Sequence, residues 1–269
     1  MKATKGRLSQ PKHKIIIEKD VRIPMRDGTT LFADIFRPKS IGKYPAIVNI
    51  SCYQKDKVWV PPADLEEKAN PYMTWETVNP LWWVPRGYIC VRVDTRGSGK
   101  SPGLSDPGGY QETLDYYDAI EWAGVQPWSN GNVGLLGISY YACSQWYVAS
   151  LRPPHLAAIL PWQGTYDFYR GRTRQGGLFC SGFVQRWWNN VCRKQHGNPD
   201  TPFRDMFTGE RISGPATLSE AERRANREEY VANVLAHPLI DEWVAARSGD
   251  MTRISIPAFV VANFGGLGL

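Results

Sequence analysis

Apolar and polar positions follow a regular order along the first 165 residues of the chain. Six short apolar or alternating runs predict β-strands, at residues 14–18, 31–36, 45–51, 88–93, 133–136 and 156–160. Helical spacing separates the later runs, at residues 79–86, at 111–123 and from 140 onward. Strands that alternate with helices predict a mostly parallel sheet with right-handed crossovers, and the turn at 26–29 joins the first two strands as a hairpin.

The composition changes after Pro161. Residues 166–250 are rich in arginine, tryptophan, asparagine and glycine and include a charged helical segment at 218–232. Residues 254–262 then return to the pattern of a buried strand. The predicted organisation is therefore the first part of a core at 14–165, a mainly helical insertion at 166–250, and a return strand of the core within 251–269.

Composition and charge exclude several classes of protein. With 42% hydrophobic and 12% aromatic residues among 269, the chain can bury a substantial core. The net charge of +6 suggests nucleic-acid binding as one interpretation. The sequence contains no nucleic-acid-binding motif, however, and the basic arm at 1–14 is better explained as a solvated tail. No apolar stretch approaches the length of a membrane span. We expect neither nucleic acid nor membrane as a partner.

The five cysteines are odd in number, and no pair has the C-x-x-C spacing of a zinc site. This pattern favours reduced thiols in a cytoplasmic protein, with no cofactor and no metal. The eleven tryptophans include clusters at Trp75, Trp82 and Trp83 and at Trp187 and Trp188. Such clusters indicate either packing of a core or cap, or an aromatic pocket for an acyl or leaving group.

The segment 132–146 joins a predicted buried strand to a predicted helix through a serine. Gly137, Ile138 and Ser139 form the turn, and helical spacing begins at Tyr140. A serine at a sharp strand-to-helix corner is typical of the nucleophile elbow, in which helix N–H groups point at a developing oxyanion. A serine N-cap after an ordinary strand fits the same residues. Tyr141 replaces the usual second glycine of the elbow, so this segment alone leaves both interpretations open.

Two glycines follow the strand at 88–93, in the sequence 94–101 (DTRGSGKS). Their spacing fits neither the dinucleotide fingerprint nor the P-loop. We interpret them as a structural turn.

Taken together, four segments resemble the X-prolyl dipeptidyl-peptidase and cocaine-esterase family of α/β-hydrolases. They are residues 21–31 (VRIPMRDGTTL), Tyr53 after the third strand, 94–103 (DTRGSGKSPG) and 137–142 (GISYYA) with Gln145 and Trp146 behind it. The resemblance implies an α/β-hydrolase core with a mostly parallel sheet and a helical cap at 166–250 that lines the acyl pocket.

The resemblance also implies a serine hydrolase that cleaves a small ester, an amide or a short X-prolyl peptide through an acyl-enzyme. By motif, Ser139 would be the nucleophile, and the Tyr53 hydroxyl and the Tyr140 backbone N–H would form the oxyanion hole. The alternative for Tyr53 is a surface loop tyrosine. Asp94 and Arg96 are expected to brace the loop after the fourth strand.

The acid and the histidine of the family's triad are not identified in this sequence. The expected position of the acid holds Gly266, and the histidine, the last strand and the C-terminal jelly-roll domain would lie beyond Leu269. The histidines present are His13, His155, His196 and His237, each of which we expect to be a surface or packing residue.

Three hypotheses follow. The chain is the N-terminal portion of a truncated serine hydrolase, a catalytically dead binding protein with a hydrolase-like pocket, or a hydrolase whose site is completed by a second chain. The incomplete sheet edge beside the return strand predicts self-association.

Overall fold

A six-stranded sheet forms the centre of the computed structural model, which describes residues 9–66 and 68–263. Its strands are β1 (Ile15–Pro24), β2 (Thr30–Pro38), β3 (Tyr44–Ser51), β4 (Ile89–Asp94), β5 (Ser129–Ile138) and β6 (Leu156–Trp162). The spatial order is β1-β2-β4-β3-β5-β6, with β1, β2 and β4 paired antiparallel and β4, β3, β5 and β6 paired parallel. The predicted hairpin and mostly parallel sheet are confirmed.

The first strand is longer than the apolar pattern predicts, because charged side chains inside it are neutralised. Lys19 contacts the carboxylates of Asp34 and Asp56. The fully buried Lys55 ammonium lies 2.7 Å from an Asp20 oxygen and 2.8 Å from an Asp34 oxygen. Ion pairs with several carboxylates offset the cost of burying these charges. The pair Lys19-Asp20 therefore stays within β1, at an irregularity of the register, although it interrupts the apolar pattern.

The helices of the first half lie where spacing predicts them. They are α1 (Pro80–Trp83), continued by a 3-10 turn at Val84–Arg86, α2 (Tyr110–Gly124) and α3 (Tyr140–Ser150). Every residue of α3 is buried, so this helix has no solvent-exposed face. It packs on β5 and β6 and contributes Trp146, Tyr147 and Val148 to the main core.

The region 166–250 contains four helices and a small hairpin. They are α4 (Ser181–Cys192), α5 (Glu220–Ala225), α6 (Tyr230–Ala236), α7 (Glu242–Ala245) and the strands β7 (Arg174–Gln175) and β8 (Leu178–Phe179), after a π-helical turn at Tyr169–Thr173. A second apolar cluster, which includes Phe168, Trp188 and Tyr230, packs this region against Tyr140 at the start of α3.

The prediction of one helix at 218–232 is wrong, because α5 ends at Ala225 and α6 begins at Tyr230. Between them the Asn226 carbonyl accepts the Ser105 N–H at 2.9 Å, and the Glu228 N–H donates to the Ser105 carbonyl at 2.9 Å. This pairing with a distant loop uses backbone groups that a continuous helix would need.

The predicted return strand lies parallel to β6 but is not buried. The Phe259 N–H donates to the Ile159 carbonyl at 2.9 Å, and the Val261 N–H donates to the Pro161 carbonyl at 3.2 Å. The side chains of Phe259 and Val260 are 62% and 58% exposed. The segment is therefore an edge pairing, and the expectation of a buried strand is wrong. Within the described ranges, no helix has both the length and the apolar character needed to cross a bilayer.

Candidate active site

Ser139 occupies the corner between β5 and α3 in a strained backbone conformation. Its φ is 58° and its ψ is −115°, a region that non-glycine residues rarely adopt and that costs on the order of 1–3 kcal/mol. The turn is held in place because the Ser139 N–H donates to the Trp162 carbonyl at 3.0 Å, and its carbonyl accepts the Cys143 N–H at 2.9 Å. An ordinary N-cap has extended φ and ψ and caps with its side chain. Ser139 has neither feature in the described part of the chain.

Small residues let the strand and the helix approach closely at this corner. A Cβ atom at Gly137 would lie 2.4 Å from the Tyr141 Cβ, and one at Gly164 would lie 2.4 Å from the Ala142 Cβ. Tyr141, which replaces the usual second glycine, accepts a hydrogen bond from the Ser51 hydroxyl at 2.6 Å. The tyrosine therefore ties the elbow to the end of β3.

Tyr53 lies beside the elbow, two residues after the end of β3. Its ring centroid is 5.6 Å from that of Tyr140 and 6.1 Å from that of Tyr141. The Trp187 indole N–H, from α4, donates to the Tyr53 hydroxyl oxygen at 2.9 Å. Burial raises the pKa of Tyr53 well above its usual value, so the phenol keeps its proton at neutral pH. The interpretation of Tyr53 as a surface loop residue does not fit these contacts.

A cavity of about 370 Å³ opens beside Ser139 and Tyr53. Much of its wall is aromatic, from Trp59, Trp75, Phe183 and Trp187. Of the predicted tryptophan clusters, Trp75 and Trp187 thus line a pocket. Trp188, in contrast, is buried and stacks on Tyr230 with ring centroids 5.2 Å apart. The sequence pattern singled out neither Trp59, which lies in an irregular loop, nor Phe183, which lies near the start of α4.

Glu76 is the one acidic residue among the side chains that line this cavity in the described structure. Its carbonyl accepts the Ile138 N–H at 3.0 Å, which fixes the residue next to the elbow. Its Oε2 atom is buried without a hydrogen-bond partner among the described residues. Burial raises the pKa of Glu76 to about 7, opposed by a hydrogen bond from Trp75 and by the charge of Lys194. No motif or spacing in the sequence marks this residue, since a glutamate directly after a tryptophan carries no such signal.

The Tyr140 side chain is not part of the predicted oxyanion hole, to which only its backbone N–H is assigned. Its hydroxyl donates to the Glu112 carboxyl group, and burial raises the pKa of that carboxyl to about 8. Because Tyr140 is the first residue of α3, its N–H has no acceptor within the helix. That N–H is therefore available to an anion at the corner.

The loop after β4 is braced as expected. The Arg96 guanidinium donates to both oxygens of Asp115, at 2.9 and 2.7 Å. The Asp94 carboxylate accepts the N–H groups of Lys55 and Lys100, at 2.7 and 2.8 Å. A Cβ at Gly99 would lie 2.1 Å from an Asp94 oxygen, so this glycine allows the loop to fold onto its own carboxylate. These contacts agree with a structural turn.

Each of the four histidines has a polar partner away from the cavity. The Nδ1 atoms lie 2.8 Å from the hydroxyl of Ser40 for His13, 2.7 Å from Glu121 for His155, 3.0 Å from the Gly99 carbonyl for His196 and 2.6 Å from Asp241 for His237. Over residues 9–66 and 68–263, none of them lines the cavity. Gly266, at the expected position of the acid, lies outside the described residues.

The central parallel sheet and the strained serine between a strand and a buried helix define an α/β-hydrolase. The family described as X-Pro dipeptidyl-peptidase (S15 family) matches residues 27–266, so the chain belongs to this family.

The relatives similar to this chain include proteins named as esterases and proteins named as X-prolyl peptidases. The cocaine esterase of Rhodococcus sp. (strain MB1 Bresler) is 33% identical over 156 residues, which cover 57% of this chain and 25% of the esterase. A Xaa-Pro dipeptidyl-peptidase of Streptococcus pneumoniae is 27% identical over 134 residues, 44% of this chain and 17% of the peptidase. A solved CocE/NonD family hydrolase from Staphylococcus aureus superposes with a TM-score of 0.74 at 34% identity, over 90% of this chain and 40% of that one. The chain thus spans less than half the length of each of these relatives.

Proposed function

We propose that this chain carries the nucleophile of a serine hydrolase that cleaves esters or amides through an acyl-enzyme. The observation that supports this most is the strained backbone of Ser139 at the start of α3, beside a cavity that it shares with Tyr53. Backbone strain of this kind persists only where the surrounding structure imposes it, and it clusters at functional sites.

In the proposed first step, the Ser139 oxygen bonds to the carbonyl carbon of the substrate and its proton passes to a base. The carbonyl π electrons move to the oxygen, and this oxyanion accepts hydrogen bonds from the Tyr140 N–H and the Tyr53 hydroxyl. Because the Tyr53 oxygen already accepts the Trp187 N–H, its own proton is free to turn toward the oxyanion. Donors in such positions typically contribute about 2.7–4 kcal/mol each. Collapse then expels the leaving group, and water hydrolyses the acyl-enzyme.

The proposed substrate is a small ester, an amide or a short peptide with an aromatic or apolar part. The aromatic wall of the cavity supports this choice, because rings bury large apolar area and stack on one another. Residues 166–250 act in this proposal as a cap, since α4 contributes Phe183 and Trp187 to the wall. The names of the relatives are consistent with either esterase or X-prolyl peptidase activity.

A second candidate function is a hydrolase-like binding protein without turnover. This alternative is favoured because each of the four histidines contacts a polar partner away from the cavity and so does not act as a base for Ser139. A serine without a base is a weak nucleophile. A histidine supplied by a second chain would restore catalysis, and activity per molecule would then rise with protein concentration.

Labelling with a fluorophosphonate probe, mapped by mass spectrometry, separates these candidates. The proposal predicts labelling at Ser139 that is abolished in Ser139→Ala and slowed in Tyr53→Phe. The matched control is Ser144→Ala, a buried serine of α3 one turn beyond the elbow, which we expect to label at the unchanged rate. A cooperatively folded sample that leaves Ser139 unlabelled at every protein concentration would refute a reactive Ser139 in this chain, and it would leave either a portion of a hydrolase or the binding protein.

A further inference from the structure

Lys194, just after α4, places an ammonium group in the candidate active site. The residue is only 7% exposed and lines the cavity with Ser139. Its Nζ lies 4.7 Å from the centroid of the Tyr53 ring, over the ring face. Among the residues that the structure describes, no carboxylate oxygen forms an ion pair with it. A buried cation without an anion is costly, so this ammonium is suited to a negatively charged ligand.

Lys57 reinforces the positive charge at the same place. It is half-buried, lines the same cavity, and lies 4.4 Å from the centroid of the Phe203 ring. In the described ranges it too has no ion pair within 4 Å. The two lysines also line a neighbouring groove of about 450 Å³, so they stand at the boundary between the cavity and the groove.

The acidic groups nearby do not cancel this charge. Glu76 lines the cavity but forms no ion pair with Lys194, and its raised pKa of about 7 leaves it partly neutral at neutral pH. The groove is lined by one acidic residue, Asp200, and by a further cation, Arg193. Positive charge therefore exceeds negative charge along the path that leads from Ser139 into the groove.

We propose that Lys194, with Lys57 beside it, binds a carboxylate of the substrate, so that the site selects esters or amides that carry a free carboxylate. This proposal depends on the proposed function only for the statement that an ester or amide bond is cleaved. Binding of the carboxylate itself needs no turnover. An aromatic part in the cavity and a carboxylate at the lysines define the expected ligand.

Three benzamides that share the benzoylamino group and differ in the charge of the terminal group test this proposal. They are hippurate (anionic), hippuramide (neutral) and N-(2-aminoethyl)benzamide (cationic), with binding followed through the fluorescence of the cavity tryptophans in the full chain at pH 6.5. We expect hippurate to bind about tenfold more tightly than hippuramide, which corresponds to about 1.4 kcal/mol. Lys194→Met should abolish this preference and Lys194→Arg should retain it. The Lys194 backbone hydrogen bonds do not depend on the side chain.

The preference should also fall as the pH rises through about 8. Burial lowers the pKa of Lys194 to about 8, opposed by Cys52 and Glu76 and aided by the like charge of Lys57. The Tyr53 phenol, which keeps its proton in this pH range, also faces the ammonium. Deprotonation removes the charge that attracts the carboxylate.

Equal affinity for hippurate and hippuramide, a preference for the cationic benzamide, no binding of any of the three to folded protein, or a preference that survives Lys194→Met would each overturn the proposal. Ser139→Ala keeps the two proposals separate. It abolishes fluorophosphonate labelling if the proposed function is correct, whereas the preference for hippurate should persist in it.

Discussion

Replacement of Gly137 by alanine tests the physical basis of the elbow most directly. The new Cβ would lie 2.4 Å from the Tyr141 Cβ, 3.1 Å from the Tyr141 Cγ and 3.3 Å from the Glu76 carbonyl oxygen. Carbon atoms in contact prefer about 3.5–4.0 Å, so the strand and the helix would have to separate by about 1 Å. Tyr141 is buried and held by Ser51, and the start of α3 therefore has little room to move.

The expected cost follows from this geometry. Overpacking of a core typically costs about 1–3 kcal/mol, and we expect about 3 kcal/mol here because the clash is with the rigid Cβ of a helix rather than with a flexible side-chain end. Fluorophosphonate labelling of Ser139 should fall as well, because the same movement displaces the elbow. The assay is urea unfolding followed by tryptophan fluorescence, with the free energy of unfolding taken at an unchanged m-value.

Gly134→Ala is the matched control in the same strand. A Cβ there has its nearest neighbours at 3.8 and 4.0 Å, which is ordinary contact. We expect its free energy of unfolding to stay within about 0.5 kcal/mol of the wild type or to rise by up to about 1 kcal/mol, since alanine restricts the unfolded chain more than glycine does. Equal stabilities of the two variants would refute the close-approach argument.

Three further results are expected. Tyr53→Phe should slow fluorophosphonate labelling of Ser139 about 100-fold or more. Trp187→Phe should slow labelling about tenfold, and the double variant should label no more slowly than Tyr53→Phe alone. Additive effects would contradict the proposed positioning of Tyr53 by Trp187. Because burial raises the pKa of Glu112 to about 8, the folded state holds a proton that the unfolded state loses near pH 4.5. The contribution of Glu112 to stability should therefore fall as pH rises from about 4.5 to 8, and Glu112→Gln should make the pH dependence of stability less steep in this range; an unchanged slope would contradict this assignment. Arg96→Met should lower the free energy of unfolding by about 3–5 kcal/mol, because its carboxylate partner is buried. Arg26→Met is the control and should cost less than about 1 kcal/mol, because the Arg26 side chain is more than a third exposed. Equal costs for the two variants would be inconsistent with the bracing role of Arg96.

Local sequence pattern was sufficient for most of the sheet and for the corner at Ser139. Short apolar runs predicted strands β3, β4, β5 and β6, and the burial of β3 and β4 on both faces is what such runs predict. The elbow was predictable because its parts, a strand, a glycine-containing turn and a helix, are contiguous in the chain. The hairpin followed from its turn residues for the same reason.

Pattern failed where distant parts of the chain decide the outcome. Lys19 and Asp20 interrupt the first strand in sequence but remain in it, because Asp34, Asp56 and Lys55 neutralise them. The charged helix at 218–232 divides because a loop more than a hundred residues away pairs with its backbone.

The sequence by itself determined the mostly parallel sheet, the order of its elements and the serine at the corner of strand and helix, because each depends on residues that are neighbours in the chain. Only the tertiary structure decided what surrounds that serine. It brings Trp187 to the Tyr53 hydroxyl and Lys194 to the face of the same ring, across more than 130 residues of chain. No periodicity in the sequence predicts these contacts, since they arise from how α4 packs against Tyr53 and Tyr140, the residues that follow β3 and β5.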